Sequence, residues 1–296
     1  MMGDFDYGEA FSRNIGWVTE AEQETLRQSC VAIGGLGGVG GVHLLTLARL
    51  GVGRFAIADF DVFEMGNFNR QIGATMDTLG SSKVDVMAGM LREINPEIEL
   101  RTFPEGVQPE SVDRFLDGAD VYVDGLDFFA HGARSRTFAA CERRGIPVVT
   151  AAPLGLGTAL LVFGPGGMSF QEYFGWDAGD ELEMSIRFLV GLSPAMLQRG
   201  YVADQTRINL AERRGPSSAA ACQLCAGITG VEVLKLLLGR GGVRFAPWGS
   251  HFDAYRMRLV RTWRPFGYRN PLQRLTISLV KAQLRRMARQ GEGNSP

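Results

Sequence analysis

The sequence is poor in histidine, cysteine and lysine, and each shortage removes a class of explanation. Its three histidines, His43, His131 and His251, are scattered, and none has metal-ligand spacing with another or with a cysteine. A structural role is expected for each. Four cysteines, Cys30, Cys141, Cys222 and Cys225, are too few for a disulfide scaffold in 296 residues, and only the last two lie close together. That usage points to a reducing cytoplasm. No uninterrupted apolar run reaches the ~18 residues of a membrane span, and the N-terminal stretch carries Asp4, Asp6 and Glu9 rather than a basic leader. A soluble protein with no membrane contact is expected. No internal repeat is evident. Lysine occurs only at Lys83, Lys235 and Lys281, so arginine supplies 28 of the 31 basic residues.

What is present suffices for one large domain, with or without an inserted cap. The formal net charge of -1 hides an uneven distribution. From Arg240 to Pro296, twelve arginines and lysines stand against Asp253 and Glu292, a local charge of +10. Such a stretch attracts an acidic partner.

Strand and helix signals alternate from the start. Thr19 and Glu22 have capping-box spacing, which predicts a helix from Thr19 to Ser29. Cys30 to Ile33 then reads as a buried strand, the glycine-rich Gly34 to Gly41 as a phosphate loop, and Val42 to Leu50 as a helix. A second apolar run, Gly53 to Ala58, ends at Asp59, 19 positions after Gly40, and completes a βαβ unit. Further helices are predicted from Ser82 to Glu93, opening at Pro109, and from Arg134 to Arg143. Strands are predicted at 98–103, 120–124, 146–150 and 158–163. This alternation implies a Rossmann-like α/β fold, a mostly parallel sheet with helices on both faces.

After Gly164 the rhythm breaks, and 164–218 reads as a variable inserted cap with Phe170, Tyr173, Phe174 and Trp176. A long apolar helix, Ala220 to Leu238, two strand-like pieces at 251–255 and 257–263, and a C-terminal helix from Pro271 to Gln290 follow. In that last helix Ile277, Val280, Leu284 and Met287 form one stripe, with Arg274, Lys281 and Arg285 on another. Gly291 to Pro296 is expected to be disordered. Trp248, Tyr255 and Trp263 read as core residues in preference to a stacking platform.

Gly35, Gly37 and Gly40, with Gly38 between them, fit G-x-G-x-x-G, in which small residues let backbone amides approach phosphate at a positive helix terminus. Alone, that pattern suits a dinucleotide-binding oxidoreductase as well. It is joined here by Asp59-Phe-Asp61, by Asn67-Phe-Asn-Arg70-Gln71, by Lys83 and by Asp124-Gly-Leu-Asp127. In that order the motifs resemble the ubiquitin-activating-enzyme superfamily, whose bacterial members include the ThiF, MoeB and HesA proteins. The resemblance spans about Phe11 to Phe163 and resumes at Cys222 to Leu238.

The resemblance implies an ATP- and Mg2+-dependent adenylyltransferase that joins a carboxylate to AMP. It implies an adenylation domain over 1–270, followed by a basic amphipathic helix and tail over 271–296. Asp59 would accept hydrogen bonds from the ribose, and Asp61, Asn67 and Gln71 would line the nucleotide site. Arg70 and Lys83 would hold phosphate oxygens, and Asp127 would bind magnesium with Asp124 in support. Lys83 opens a predicted helix, where a cation opposes the dipole, so a reason beyond local preference is needed for it. The family's D-x-x-D-N run reads Asp127-Phe128 here, without the asparagine. Phe11-Ser-Arg13-Asn14 resembles the family's Y-x-R-Q segment, whose arginine reaches the neighbouring subunit's nucleotide, which implies a homodimer.

Many relatives carry two C-x-x-C pairs for structural zinc; only Cys222-Gln-Leu-Cys225 is present here, so no zinc site is expected. The implied partner is a ubiquitin-like or sulfur-carrier protein, or a ribosomally made peptide, presenting a C-terminal carboxylate. Two alternatives remain open from sequence. One is dehydration of a threonylcarbamoyl group on tRNA gripped by the basic C-terminal region; the other is an NAD-binding oxidoreductase or a non-catalytic nucleotide-binding partner.

Overall fold

The computed structural model describes residues 4–176, 180–209 and 215–292, with side chains as far as Gln283. Asp6 caps a one-turn helix, α1 (Tyr7–Ala10), by accepting from the Glu9 amide at 2.7 Å. The capping box at Thr19 and Glu22 forms as expected and starts α2 (Glu20–Gln28). The chain continues through β1 (Cys30–Gly34), α3 (Gly38–Arg49), β2 (Arg54–Ala58), α4 (Lys83–Ile94), β3 (Glu99–Phe103), α5 (Val112–Phe115), β4 (Val121–Asp124) and α6 (His131–Arg144). Next come β5 (Val148–Leu154), β6 (Gly157–Phe163), α7 (Phe170–Phe174), α8 (Glu181–Leu192), α9 (Ala219–Leu237), β7 (Trp248–Asp253), β8 (Arg258–Trp263) and α10 (Pro271–Glu292).

The strands form one sheet in the order β3-β2-β1-β4-β5-β6-β7-β8. The first five are parallel and the last three antiparallel. Strand order therefore reverses at β1, which lies between β2 and β4, and a crevice opens beyond the carboxyl ends of β1 and β4. Val31, Ile33, Phe55, Ile57, Leu91 and Val233 fill one side of the sheet. The other side is built from Ala32, Phe115, Tyr122, Phe138 and the aromatic residues of α7 and α8. Phe170, Phe174, Trp176 and Phe188 meet Phe163 of β6 in a continuous ring network, so the 164–218 segment supplies the aromatic part of this second core as well as a wall of the crevice.

Several expectations are corrected. Helix α3 starts at Gly38, four residues early, because the glycine run itself forms the first turn. Pro109 lies in a turn before the single-turn α5, since the Ser111 N–H already closes on the Gln108 carbonyl. Trp248, Tyr255 and Trp263 are not core: they are 38%, 66% and 54% exposed on the last two strands and their connection. Helix α10 runs through Gly291 to Glu292 into the stretch expected to be disordered; 293–296 and the side chains of Leu284, Arg285 and Met287 lie outside the described residues. Helix α9 is long and apolar enough by composition to cross a membrane. In the fold it packs on α3 and on β4, β5 and β6.

Candidate functional site

The crevice is a cleft of about 1260 Å³ whose walls come from the glycine loop, the crossover segment between β2 and α4, the loop after β4, the end of β5, and the 164–218 segment. Gly35, Gly37, Gly38, Asp59, Asp61 and Asn67 line it, and so do Arg70, Gln71, Lys83 and Asp127. The three charged side chains on which the nucleotide reading depends, Arg70, Lys83 and Asp127, thus share one cavity.

Close backbone packing shapes the glycine loop. Gly35 has φ +84, and a Cβ there would strike the Gly125 carbonyl at the tip of β4. A Cβ on Gly40 would collide with the Gly35 carbonyl, and one on Gly125 would stand 2.7 Å from the Gly40 Cα. Gly40 does not line the cleft. Its task is helix-to-strand packing rather than ligand contact, the role physics gives the third glycine of such a loop. Gly37 and Gly38 face the cleft, with Gln71 and Arg70 opposite them. A side chain at Gly38 would also press on Cys222 Sγ, at 3.1 Å.

Asp59 terminates β2 and braces this loop. Its Oδ2 accepts from the Leu36 amide at 2.6 Å and its Oδ1 from the Asp61 amide at 2.8 Å. Burial raises the pKa of this carboxyl above the ordinary aspartate value, opposed by those two amides and by Lys83. Lys83 is only 5% exposed at the first position of α4, and its Nζ donates to Asp61 Oδ2 at 3.0 Å. That contact is the reason a lysine survives at a positive helix end.

The crossover segment presents the remaining polar groups. Arg70 reaches the Gly66 carbonyl and Asn69 Oδ1 at 3.0 and 2.9 Å, which leaves most of its five N–H donors open toward the cleft. Asn67 holds the local turn by accepting from the Glu64 amide. Gln71 is buried, and its Oε1 has no partner among the described residues. Asn69 donates to the Ser217 carbonyl at 2.9 Å and ties the segment to the start of α9.

Behind the opposite wall lies an ion pair that sequence reasoning missed. Asp124 and Arg134 are each 2% exposed at the side chain and meet at 2.9 Å. Thr150 also donates to Asp124, while Arg134 donates to the Leu126, Asp127 and Phe128 carbonyls. One guanidinium therefore holds the whole loop that carries Asp127. Asp127 itself is exposed and accepts from the Phe129 amide. Phe128, where the resemblance expects asparagine, packs on Phe129 and Phe188 and makes that wall apolar. The signal for Arg134 was present: it shares the helical stripe of His131, Phe138 and Cys141, all buried.

The sequence profile of the ThiF family matches residues 11–275. The chain belongs to the ThiF family. Two relatives share about half of this ThiF-family chain. The tRNA threonylcarbamoyladenosine dehydratase of Bacillus subtilis (strain 168) is 36% identical over 142 residues, 48% of this chain and 55% of that protein. The sulfur carrier protein ThiS adenylyltransferase of Escherichia coli (strain K12) is 35% identical over 143 residues, 48% of this chain and 56% of that one. The chain thus spans little more than half the length of each. Among solved structures, E. coli MccB with ATP superimposes with a TM-score of 0.64 at 17% identity, covering 89% of this chain and 73% of that chain. At that identity the likeness speaks for the fold.

Arg13 does not line the cleft of its own chain; it is exposed on the 3₁₀ turn Ser12–Asn14. Cys222 lines the cleft and Cys225 lies one helical turn deeper, both buried and without a disulfide. Burial raises both thiols, Cys225 to about 12, so neither is poised as a thiolate.

Proposed function

We propose that this ThiF-family protein activates a carboxylate as its acyl-adenylate, using ATP and Mg2+. The observation that carries the reading is the sharing of one cleft by Arg70, Lys83, Asp127 and the glycine loop. The residues fit a nucleotide. Gly37 and Gly38 leave a cradle that side chains would fill, and the buried Gln71 Oε1 lacks a partner among the described residues. Among the described residues no three acidic, cysteine or histidine side chains cluster to hold a metal. Asp127 would therefore bind Mg2+ as a single protein carboxylate, the remaining ligands being phosphate and water, as that ion prefers.

In this reading the substrate carboxylate oxygen attacks the α-phosphorus and the bond to the departing pyrophosphate breaks. Lys83, oriented by Asp61, and Arg70 hold phosphate oxygens and offset the charge that develops there. Asp59 keeps the loop in place through two amides and retains lone pairs for a ribose hydroxyl. The apolar Phe128 wall limits water near the reacting atoms. The acyl group then passes to a sulfur or amine nucleophile from another molecule as its bond to AMP breaks and AMP leaves, and the substrate presents a C-terminal carboxylate on a carrier protein or peptide.

Exchange of radiolabelled pyrophosphate into ATP, dependent on a candidate carboxylate, tests this. Nucleotide binding without exchange would demote the protein to a scaffold. The 36% identity to the B. subtilis protein favours a second reading, action on a threonylcarbamoyl group of tRNA. Affinity for tRNA that falls steeply with salt would support it, and no binding at low salt would remove it.

We further assign Arg13 to the active site of a second copy. Trp17, Met65 and Met76 are large apolar side chains left 85%, 63% and 68% exposed, which burial against a second copy would relieve. Arg13→Ala is expected to lower pyrophosphate exchange by roughly tenfold or more with no change in the mass measured by light scattering. Unchanged exchange would discard the idea.

A further inference from the structure

The sheet ends in a strand built to be joined. β8 is last in the sheet order, and among the described residues nothing pairs with its outer edge. Its six residues pair with β7 in unbroken register, so no bulge turns the edge aside, and no proline interrupts it. Edge strands without such protection are templates for another backbone.

The adjoining surface is equally open. Cross-strand pairs Trp248–Trp263, Ser250–Arg261 and Phe252–Leu259 share a face with Leu160 and Val162 of β6. On β6 that face is buried in the core beneath α9. On β7 it is half-buried and on β8 it is bare: Leu259 is 54% exposed, and the two indoles lie 6.0 Å apart with Arg244 over Trp248. Arg261 is exposed on this face, Arg258 on the opposite face of the same strand and Arg256 in the turn before it, while Asp253, the one acidic residue of β7 and β8, is fully buried. Aromatic residues and arginine with few exposed carboxylates make the composition of an interface centre.

We propose that β8 binds an extended, acidic polypeptide segment, which adds as a ninth strand and lays its apolar side chains on Leu259 and the Trp248–Trp263 pair. The track is about 20 Å long, six residues at ~3.3 Å each. The free row of alternating backbone donors and acceptors selects a polypeptide, because a phosphodiester chain cannot complete it, and aliphatic Leu259 offers no base a stacking surface. Charge selects its sign. A second copy of this chain would set its own exposed arginines, with no exposed carboxylate on β7 or β8 to offset them, beside Arg258 and Arg261, and like charges repel. The inference stands on the sheet edge and is independent of the chemistry in the cleft.

The test uses the full chain and a fluorescein-labelled decapeptide of alternating glutamate and valine, without nucleotide. Binding by anisotropy is expected to be at least roughly tenfold tighter than for the lysine–valine peptide, and than for a version N-methylated at every second residue. Amide exchange across Arg258–Trp263 should slow when the peptide is bound. The exposed double substitution L259D/R261E should weaken binding by a similar factor. Equal binding of the N-methylated peptide, no binding of the glutamate peptide, or its displacement by a ten-nucleotide uridylate with tighter affinity would each overturn the proposal.

Discussion

Lys83→Ala is expected to slow pyrophosphate exchange by roughly 100- to 1000-fold, the usual effect of deleting one charged donor at a developing phosphate charge. The fold should survive. Alanine is a better helix opener than a cation at the positive end of α4, and the Asp61 carboxylate that loses its partner is half exposed and can be hydrated. Lys83→Arg should rescue little, because a planar fork does not fit the space of a buried ammonium held at 3.0 Å from one carboxylate. Asp61→Asn should give an intermediate loss of about tenfold, since it removes the group that orients Lys83 without removing the charge. Exchange by Lys83→Ala within about threefold of the parent would show that the lysine serves its pair with Asp61 and not the phosphate.

The second large effect concerns stability. Arg134→Met leaves the Asp124 carboxylate buried without a counter-charge and frees the carbonyls of Leu126, Asp127 and Phe128. Breaking a buried pair from one side costs about 3–5 kcal/mol, which for a domain of this size lowers Tm by about 10 °C. Adding Asp124→Asn should recover much of that loss, because the uncompensated charge, rather than the missing attraction, is the larger penalty. Differential scanning calorimetry of the parent, the single variants and the pair measures the coupling. A single Arg134→Met variant that melts within about 2 °C of the parent would mean that solvent reaches Asp124 after all.

The sequence made the first half of the fold readable because its signals agree with one another. The run Cys30 to Gly34, the glycines and Asp59 specify strand, loop, helix and strand end together, and the motif order brings Arg70, Lys83 and Asp127 to one cleft. Where local and tertiary preferences diverge, reading failed. Glycines argue against a helix, so the start of α3 was placed at Val42, although Gly38 to Gly41 must coil to let the helix end approach β4. Trp248 and Trp263 alternate as core residues would, and nothing local reveals that α9 stops covering the sheet at β6. Arg134 entered only as the start of a predicted helix; its place on a buried stripe was legible, but its partner Asp124 lies ten residues away across the loop. Asp59 was read only as a ribose ligand; its grip on Leu36 depends on a loop path that the glycines leave free.

The contact of Gly35, Gly40 and Gly125 makes the loop before α3 and the loop after β4 a single rigid block. Substitutions that add a side chain at any of the three therefore gain no room on that side of the cleft. Reshaping the cleft belongs to the wall that is lined by side chains, the crossover segment around Asn67 and Gln71.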